Sequence, residues 1–299
     1  MKYRLLISFI LLLTIKNVVA QTVPSVVVSI KPIHSIVTAL MSGIAEPQLL
    51  LKSNNSAHTF HLKPSQIRML ANADLVIIIS EDFEAGLRKA IKNIEDDSLF
   101  QITSLSNLNI HKSRSGILYS KEHEEHEENI YDLHLWLDIN NTKLIAKHIN
   151  KLLIKIDPIN EVKYNNNFIE LTHNLRELKI YLEKETAPFL TSQFAVLSDT
   201  TQYFEKSMNL IRPVIITPYH GARLSINRTL EAKETMSDLS VSCLLYGQEV
   251  KPNQISVLSE GLSLNTFEID IIGTKYQAGY SQYFNLMKSI SSQFASCLK

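Results

Sequence analysis

Residues 158–187 read P-I-N-E-V-K-Y-N-N-N-F-I-E-L-T-H-N-L-R-E-L-K-I-Y-L-E-K-E-T-A, with no glycine and no proline after the first residue. Apolar residues recur in this stretch at helical intervals, which predicts one amphipathic helix. They are Ile159, Val162, Phe168, Leu171, Leu175, Leu178, Tyr181 and Leu182. A helix of this length would extend about 45 Å, more than the width of a small domain. It is therefore expected to join two lobes rigidly.

The chain before this helix alternates short apolar runs with amphipathic stretches, a rhythm that predicts repeated strand–helix units. The run D-L-V-I-I-I at 74–79 is apolar nearly throughout and is expected to be a strand buried on both faces. The full pattern predicts strands at 26–30, 47–51, 74–79 and 99–102, with helices at 33–41, 64–73 and 83–94. Residues 21–157 should therefore form an N-terminal α/β lobe around a parallel sheet.

The same rhythm resumes after Pro188 and predicts a C-terminal α/β lobe over residues 188–299. Strands are expected at 195–197, 214–216, 241–246 and 263–269, and a last helix at 276–296. The predicted fold class is α/β, with two lobes that each hold a mostly parallel sheet flanked by helices, joined by one long rigid helix. Ligands bind at the carboxyl ends of parallel strands, so the cleft between the lobes is the expected site.

The first twenty residues have the pattern of a secretory signal peptide. Lys2 and Arg4 precede an apolar run over 5–15, and cleavage is expected after Ala20. The run is too short to span a bilayer comfortably, and no cysteine follows Ala20 to accept a lipid anchor. The mature protein is therefore expected in the periplasm, without a membrane anchor.

Composition narrows the partners and the redox environment. Three of the 30 Lys and Arg residues lie in the signal peptide, so 27 remain against 30 Asp and Glu residues, a balance that does not favour nucleic acid. Cys243 and Cys297 both lie in the mature chain. An oxidising compartment favours joining them, and free buried thiols are the alternative.

Residues 123–136 read H-E-E-H-E-E-N-I-Y-D-L-H-L-W, a histidine and carboxylate tract that runs into a hydrophobic segment. Neutral imidazole is the commonest protein ligand for late first-row divalent ions, and acidic neighbours attract the cation. The loop over 121–128, with His123 and His126, is therefore an auxiliary candidate for metal binding. A solvated charged loop that binds nothing tightly is an equally good interpretation.

Two further histidines lie in a polar loop before Pro64, in the sequence N-N-S-A-H-T-F-H-L-K-P-S. His58 is placed where a side chain can project into the cleft. The spacing of His61 allows joint chelation, but Phe60 between them indicates an extended chain in which the two side chains diverge. His58 is therefore the preferred ligand, and His61 is an auxiliary candidate.

His134 alternates with three leucines, so on a strand it would face away from them and toward the cleft. A core histidine satisfied by a backbone carbonyl is the alternative. Asp270 would stand at the carboxyl end of a strand in the second lobe, and a turn or helix cap is its alternative role. Loop positions are expected for His34 and His220, and surface positions for His111, His148 and His173.

Several short motifs together resemble one family. They are S-I-K-P at 29–32, A-H-T-F-H-L-K-P-S at 57–65, H-L-W-L at 134–137, F-E-K at 204–206 and A-S-C-L-K at 295–299. With the signal peptide and the acidic histidine loop, they make the chain similar to the ZnuA-type zinc-binding proteins of bacterial zinc ABC importers. The resemblance implies two α/β lobes that hold zinc between them and pass it to an inner-membrane permease. A monomer is expected.

The resemblance also implies a site. The ligand positions of the family fall on His58, His134 and Asp270, and its disulfide on Cys243 and Cys297. The third histidine of the family precedes an aspartate in a pattern such as H-D-A-Y-x-Y, whereas residues 197–203 here read L-S-D-T-T-Q-Y, so Ser198 stands in the ligand place. A serine hydroxyl is a poor zinc ligand, which leaves water, Asp199 or a loop histidine to complete the shell.

The replacement at Ser198 also bears on the choice of metal and on other functions. Fewer nitrogen donors shift preference from Zn²⁺ toward Mn²⁺, although two retained histidines keep Zn²⁺ ahead. A manganese-preferring receptor or an adhesin-type relative with a degenerate site is the alternative. A zinc hydrolase would use similar ligands, but the chain has no H-E-x-x-H motif and no nucleophile elbow, so no enzyme activity is expected.

Overall fold

The computed structural model describes residues 23–52, 60–114, 131–217 and 225–299. The expected signal peptide and its cleavage site after Ala20 lie outside these ranges. So do His58, His220 and the acidic loop with His123 and His126. The predictions for these residues therefore remain predictions.

The N-terminal lobe is built on a four-stranded sheet in which neighbouring strands pair in parallel. The strands are β1 (Val26–Val28), β2 (Gln48–Leu49), β3 (Leu75–Ile78) and β4 (Leu99–Gln101), in the order β2-β1-β3-β4. The helices are α1 (Lys31–Leu40), α2 (Pro64–Ala71) and α3 (Arg88–Ile91). All four residues of β3 are buried, as its unbroken apolar sequence predicts.

The helix expected over 83–94 is instead divided into a 3-10 turn, Ala85–Leu87, and the short α3. Gly86 lies in this turn, and the backbone carbonyl of Phe60 packs so closely on it that a Cβ atom would clash. Glycine also lowers the stability of a helix at this point. The turn at Gly86 therefore contacts the backbone of Phe60, which lies two residues after His58 in the sequence.

A small ribbon and two long helices follow. Strands β5 (His111–Lys112) and β6 (Tyr131–Asp132) pair antiparallel, and α4 (Ile139–Ile156) comes after them. The predicted joining helix is α5 (Glu161–Thr186), flanked by the 3-10 turns Pro158–Asn160 and Ala187–Phe189. Its existence and extent confirm the sequence prediction.

The C-terminal lobe repeats the architecture of the first. Strands β7 (Phe194–Ser198), β8 (Val214–Thr217), β9 (Cys243–Gly247) and β10 (Asn265–Ile269) form a parallel sheet in the order β10-β9-β7-β8. Its helices are α6 (Gln202–Ser207), α7 (Ile226–Asp238), α8 (Pro252–Ser259) and α9 (Gln282–Leu298). The predicted start of α9 at 276 is wrong, because Gly279 has a φ of 134°, which interrupts the helix. The two parallel sheets confirm the predicted fold class.

The two lobes share one continuous hydrophobic core. It contains Val27 and Ile77 of the first sheet together with Phe194 and Leu245 of the second. Helix α5 packs against α1, α4 and α9, and α9 packs against α1, which joins the two parts. Close-packed interiors resist deformation, so this core limits the lobes to small relative movements. Within the described residues, no helix has the length and apolar composition to cross a bilayer.

A disulfide joins Cys243, at the start of β9, to Cys297 in the last turn of α9, with Cα atoms 5.2 Å apart. This pairing is the predicted one, and the alternative of free thiols is wrong. The bond lies at the amino end of β9, opposite the carboxyl ends of the strands where ligands are expected.

Candidate metal centre

His134 lies just after the ribbon, between β6 and a 3-10 turn formed by Leu135–Leu137. The predicted strand at this position is therefore wrong. The alternation of His134 with leucines does not indicate a strand here. Leu135, Trp136 and Leu137 are all fully buried in the turn, so buried and exposed side chains do not alternate as they would along a half-buried strand. Leu137 N donates to His134 O at 3.1 Å and closes the turn.

The imidazole of His134 is oriented by Asp132. Nδ1 donates to Asp132 Oδ1 at 2.7 Å, and the backbone N of His134 donates to the same oxygen at 3.0 Å. The rings of Phe83 and Trp136 contact the imidazole edge-on, at centroid distances of 5.7 and 5.4 Å. With its proton on Nδ1, His134 presents Nε2 as a lone-pair donor, the arrangement typical of a metal-ligating histidine. The hydrogen-bond partner of His134 Nδ1 is therefore a carboxylate, and not the backbone carbonyl expected for a core histidine.

Asp270 follows β10 directly, as predicted, and only 6% of it is exposed. Oδ1 accepts from the backbone N atoms of Ile272 (3.0 Å) and Gly273 (2.7 Å), and Oδ2 from the N (2.6 Å) and Oγ1 (2.8 Å) of Thr274. The carboxylate therefore caps a turn, which was its alternative role. A metal at Asp270 would have to share or displace one of these donors, because four hydrogen bonds occupy the usual lone-pair positions.

The segments of His134 and Asp270 meet between the lobes. Trp136 Nε1 donates to Ile271 O at 2.8 Å, which links the residue two after His134 to the residue one after Asp270. Tyr283 OH, on α9, donates to Trp136 O at 2.8 Å and fastens the same turn from the other side. The two predicted ligands thus stand on neighbouring backbones fixed by one partly buried and one buried hydrogen bond.

Ser198 is the last residue of β7 and is 8% exposed. Its Oγ lies 3.2 Å from Thr217 Oγ1 at the end of β8, and Thr217 Oγ1 donates to Leu197 O at 2.6 Å. The ends of β7 and β8 therefore hold a neutral pair of hydroxyls. Such a pair offers little to a zinc ion.

Asp199 is held by Arg114, a residue that the sequence did not single out. Arg114 Nε lies 3.1 Å from both carboxylate oxygens of Asp199, and the backbone N of Arg114 donates to Oδ2 at 3.0 Å. Arg114 Nη1 also donates to Glu205 Oε2 at 2.6 Å. These bonds leave both carboxylate oxygens of Asp199 engaged with Arg114. Arg114 and Asp199 are separated by 85 positions in the sequence, so no local motif indicates the pair.

The side chains of Arg114, Asp199 and Glu205 are largely buried, and this environment shifts the pKa values of Arg114 and Glu205. Burial alone would lower the pKa of the Arg114 guanidinium, but the two carboxylates outweigh that effect and raise it above its ordinary value. Burial raises the pKa of Glu205, and Arg114 opposes that rise. Thr201 Oγ1 donates to Glu205 Oε1 at 2.6 Å and supplies a further partner.

The other described histidines do not join His134. His34 lies in α1 rather than in a loop, where Nε2 is 2.9 Å from Pro47 O and burial lowers its pKa. His111 lies in β5, where it is half-buried and packs on the ring of Tyr203 at 4.8 Å. His61 is exposed beside α2. Within the four described ranges, no three His, Cys, Asp or Glu side chains converge as a ligand group.

Comparisons with known proteins agree with this architecture. The sequence matches the family described as "ZnuA: Zinc-uptake complex component A periplasmic" over residues 26–297. The high-affinity zinc uptake system protein ZnuA of Brucella abortus (strain 2308) is 26% identical over 304 residues, which cover 91% of each chain.

Two solved structures show the same fold. A crystal structure of ZnuA superposes with a TM-score of 0.78 at 19% identity and covers 93% of this chain and 100% of its own. The solute-binding protein FpvC of P. aeruginosa, in complex with Ni²⁺, has a TM-score of 0.76 at 14% identity, with 93% and 97% covered. Because the family match spans both lobes and the joining helix, the chain belongs to the ZnuA family of periplasmic zinc-uptake components, which are transport receptors and not enzymes.

Proposed function

We propose that this protein captures zinc between its lobes through His58, His134 and Asp270 and delivers it to the permease of an ABC importer. The observation that carries the proposal is the pairing of His134 Nδ1 with Asp132 at 2.7 Å in a buried setting. A carboxylate in this position fixes the ring and raises the basicity of Nε2, and mutation of such partners weakens metal binding about 10- to 100-fold.

The place of His58 is supported by its neighbours. Phe60 lies two residues after His58, and its backbone carbonyl contacts Gly86. Gly86 belongs to the 3-10 turn that follows Phe83, and the ring of Phe83 contacts the His134 ring. The loop that carries His58 therefore ends close to the His134 turn. We propose that His58 supplies the second nitrogen donor from this loop.

The fourth donor is proposed to be water or an auxiliary histidine, His123 or His126, and His61 is left out because it is exposed beside α2. Asp199 is left out because Arg114 occupies it. Two histidines favour Zn²⁺, whereas Asp270 and the hydroxyl at Ser198 move the balance toward harder cations such as Mn²⁺. A manganese-preferring receptor is therefore the second candidate function, and the structure of FpvC with Ni²⁺, a protein of the same fold, supports keeping the choice of metal open.

Capture and delivery are proposed to occur in the periplasm with the protein as a monomer. The shared core and the hydrogen bonds of Trp136 restrict the lobes, so a bound metal would change the local arrangement around the cleft more than the overall shape. A metal that binds the native state alone would also stabilise it, by about 4 kcal/mol at a thousandfold excess over Kd.

The test is competition of metal-free mature protein with a chelator of known affinity, using Zn²⁺ and Mn²⁺ in parallel. His58→Ala, His134→Ala and Asp270→Ala should each weaken zinc binding, by about 100-fold or more for the histidines, since each removes a direct ligand. His173→Ala, an exposed histidine on α5, is the matched control and should leave the Kd unchanged. Unchanged zinc affinity in both His58→Ala and His134→Ala would contradict the ligand set.

A further inference from the structure

The ribbon formed by β5 and β6 is docked on residues 199–205 of the C-terminal lobe, here called the docking segment. Tyr203 OH accepts from His111 N at 3.0 Å and donates to Asp132 O at 2.7 Å, so one hydroxyl holds both strands. Gln202 Nε2 donates to Lys112 O at 3.0 Å. The ribbon therefore belongs to the first lobe by sequence and is fastened to the second by hydrogen bonds.

Arg114 lies two residues after β5 and forms ion pairs with Asp199 and Glu205, which together are called the clamp. Its guanidinium bonds to Asp199 and to Glu205 at once, and its side chain is 11% exposed against 0% and 2% for the two carboxylates. Bidentate pairs of arginine with carboxylates fix geometry as well as charge, because the planar fork matches the two oxygens. The clamp therefore fixes the position of the ribbon on the docking segment.

The position of the ribbon in turn decides the position of Asp132. Among the described residues, the only hydrogen bonds to the Asp132 carboxylate come from His134, and Oδ2 is buried without a partner. No other donor in those ranges holds this side chain, so its placement depends on its backbone in β6. That backbone is held by β5 and by Tyr203.

We propose that Arg114 is a positioning residue for the metal site: by clamping the ribbon on Asp199 and Glu205, it holds Asp132 where it orients His134. The inference rests on the proposed function, in which His134 is a ligand. The docking segment, which begins directly after Ser198, contributes to metal binding through the ribbon instead of through a donor atom.

The test compares two substitutions that keep the charge. Arg114→Lys retains a cation but loses the fork, and a single ammonium cannot bond both carboxylates in the same geometry. The zinc Kd, measured by chelator competition, should rise about tenfold, the lower range for partners outside the direct ligand shell. Arg88→Lys is the control, because the pair of Arg88 with Asp82 is exposed, and its zinc Kd should stay within about twofold of wild type.

A second readout separates positioning from general weakening of the fold. In wild type, ¹⁵N NMR of the metal-free protein should show the His134 ring protonated at Nδ1 alone, as the bond to Asp132 requires. In Arg114→Lys, both tautomers should be populated. A zinc Kd within about twofold of wild type, with a single Nδ1 tautomer, would overturn the inference.

Tyr203→Phe provides an independent variant if Arg114→Lys does not fold. It removes the hydroxyl shared by His111 and Asp132 without changing charge, and it should weaken zinc binding in the same direction. If His134→Ala leaves zinc affinity unchanged, the proposed ligand set fails. If His134→Ala weakens binding but Arg114→Lys and Tyr203→Phe do not, the positioning role alone fails.

Discussion

Trp136 Nε1 and Ile271 O form a 2.8 Å hydrogen bond that joins the His134 turn of one lobe to the Asp270 turn of the other. Trp136→Phe keeps an aromatic ring but leaves the Ile271 carbonyl without this donor. The Ile271 carbonyl is partly buried, so its loss of a donor costs less than the roughly 1–3 kcal/mol of a fully buried group, and the void left by the smaller ring adds to that cost. We expect the free energy of unfolding of the metal-free protein to fall by about 2–4 kcal/mol and the zinc Kd to rise.

Chemical denaturation and chelator competition on the same preparation measure both quantities. Leu153→Ala, in the last turn of α4 and fully buried, is a control that should cost about 2–5 kcal/mol without touching this bond. If both variants change the zinc Kd equally, the Trp136 effect comes from lost stability and not from the joint between the two turns.

Ser198→His should restore a nitrogen donor at the carboxyl end of β7. Because imidazole is a much better zinc ligand than a hydroxyl, zinc affinity should rise at least about tenfold and the preference over Mn²⁺ should widen. Ser198→Ala removes the hydroxyl and should leave the zinc Kd unchanged. A large loss of affinity in Ser198→Ala would instead make the hydroxyl a ligand.

Glu84 should make stability depend on pH. It is fully buried, and burial raises the pKa of its carboxyl from 4.5 to about 7, against the hydrogen bonds from Ser29, Ile79 and Ser80. Between these values the native state holds a proton that the unfolded chain has released. Stability from this group is therefore full below about pH 4.5 and declines as pH rises to 7, by at most about 1.4 kcal/mol per pH unit.

Thermal or urea unfolding of wild type and Glu84→Gln from pH 5 to 8 checks this dependence. The stability of wild type relative to Glu84→Gln should decrease with rising pH, since glutamine stays neutral throughout. Glu95→Gln, an exposed residue, controls for the loss of one acidic group. A difference between wild type and Glu84→Gln that does not change with pH would show that Glu84 keeps the same charge in both states.

Removal of the disulfide should lower stability and spare the site. The bond closes a loop with a sequence separation of 54 residues, for which the chain-entropy model gives about 4 kcal/mol. Cys243→Ala with Cys297→Ala should show this loss in denaturant unfolding, with the zinc Kd unchanged because the bond lies at the amino end of β9. Weaker zinc binding in the double variant would mean that α9 transmits strain to Trp136 through Tyr283.

Much of the fold could be predicted from the sequence because local signals were strong. The unbroken apolar run of β3 and the helical spacing over α5 each specify one structure with little help from distant residues. The short helix at α3 was missed because the contact of Phe60 with Gly86 decides it. Tertiary contacts override local propensity in such places.

The candidate site was only partly accessible from the sequence. Asp270 could be placed at a strand end, but its four hydrogen bonds depend on the turn that follows. The pairing of Asp132 with His134 is local, and an acidic residue two positions before a candidate ligand was a signal that could have been used. Arg114 and Asp199 meet only because the ribbon crosses to the other lobe, which no periodicity indicates.

The packing of α9 against α1 has a consequence for how the protein is made. Helix α1 is largely buried and packs against α9, so the first half of the chain cannot cover this face of α1 before α9 is present. A nascent or truncated chain would expose this surface and aggregate, as partly folded chains with uncovered apolar faces do. The protein is therefore expected to depend on chaperones until α9 has docked on α1, and residues 23–157 expressed alone should be insoluble.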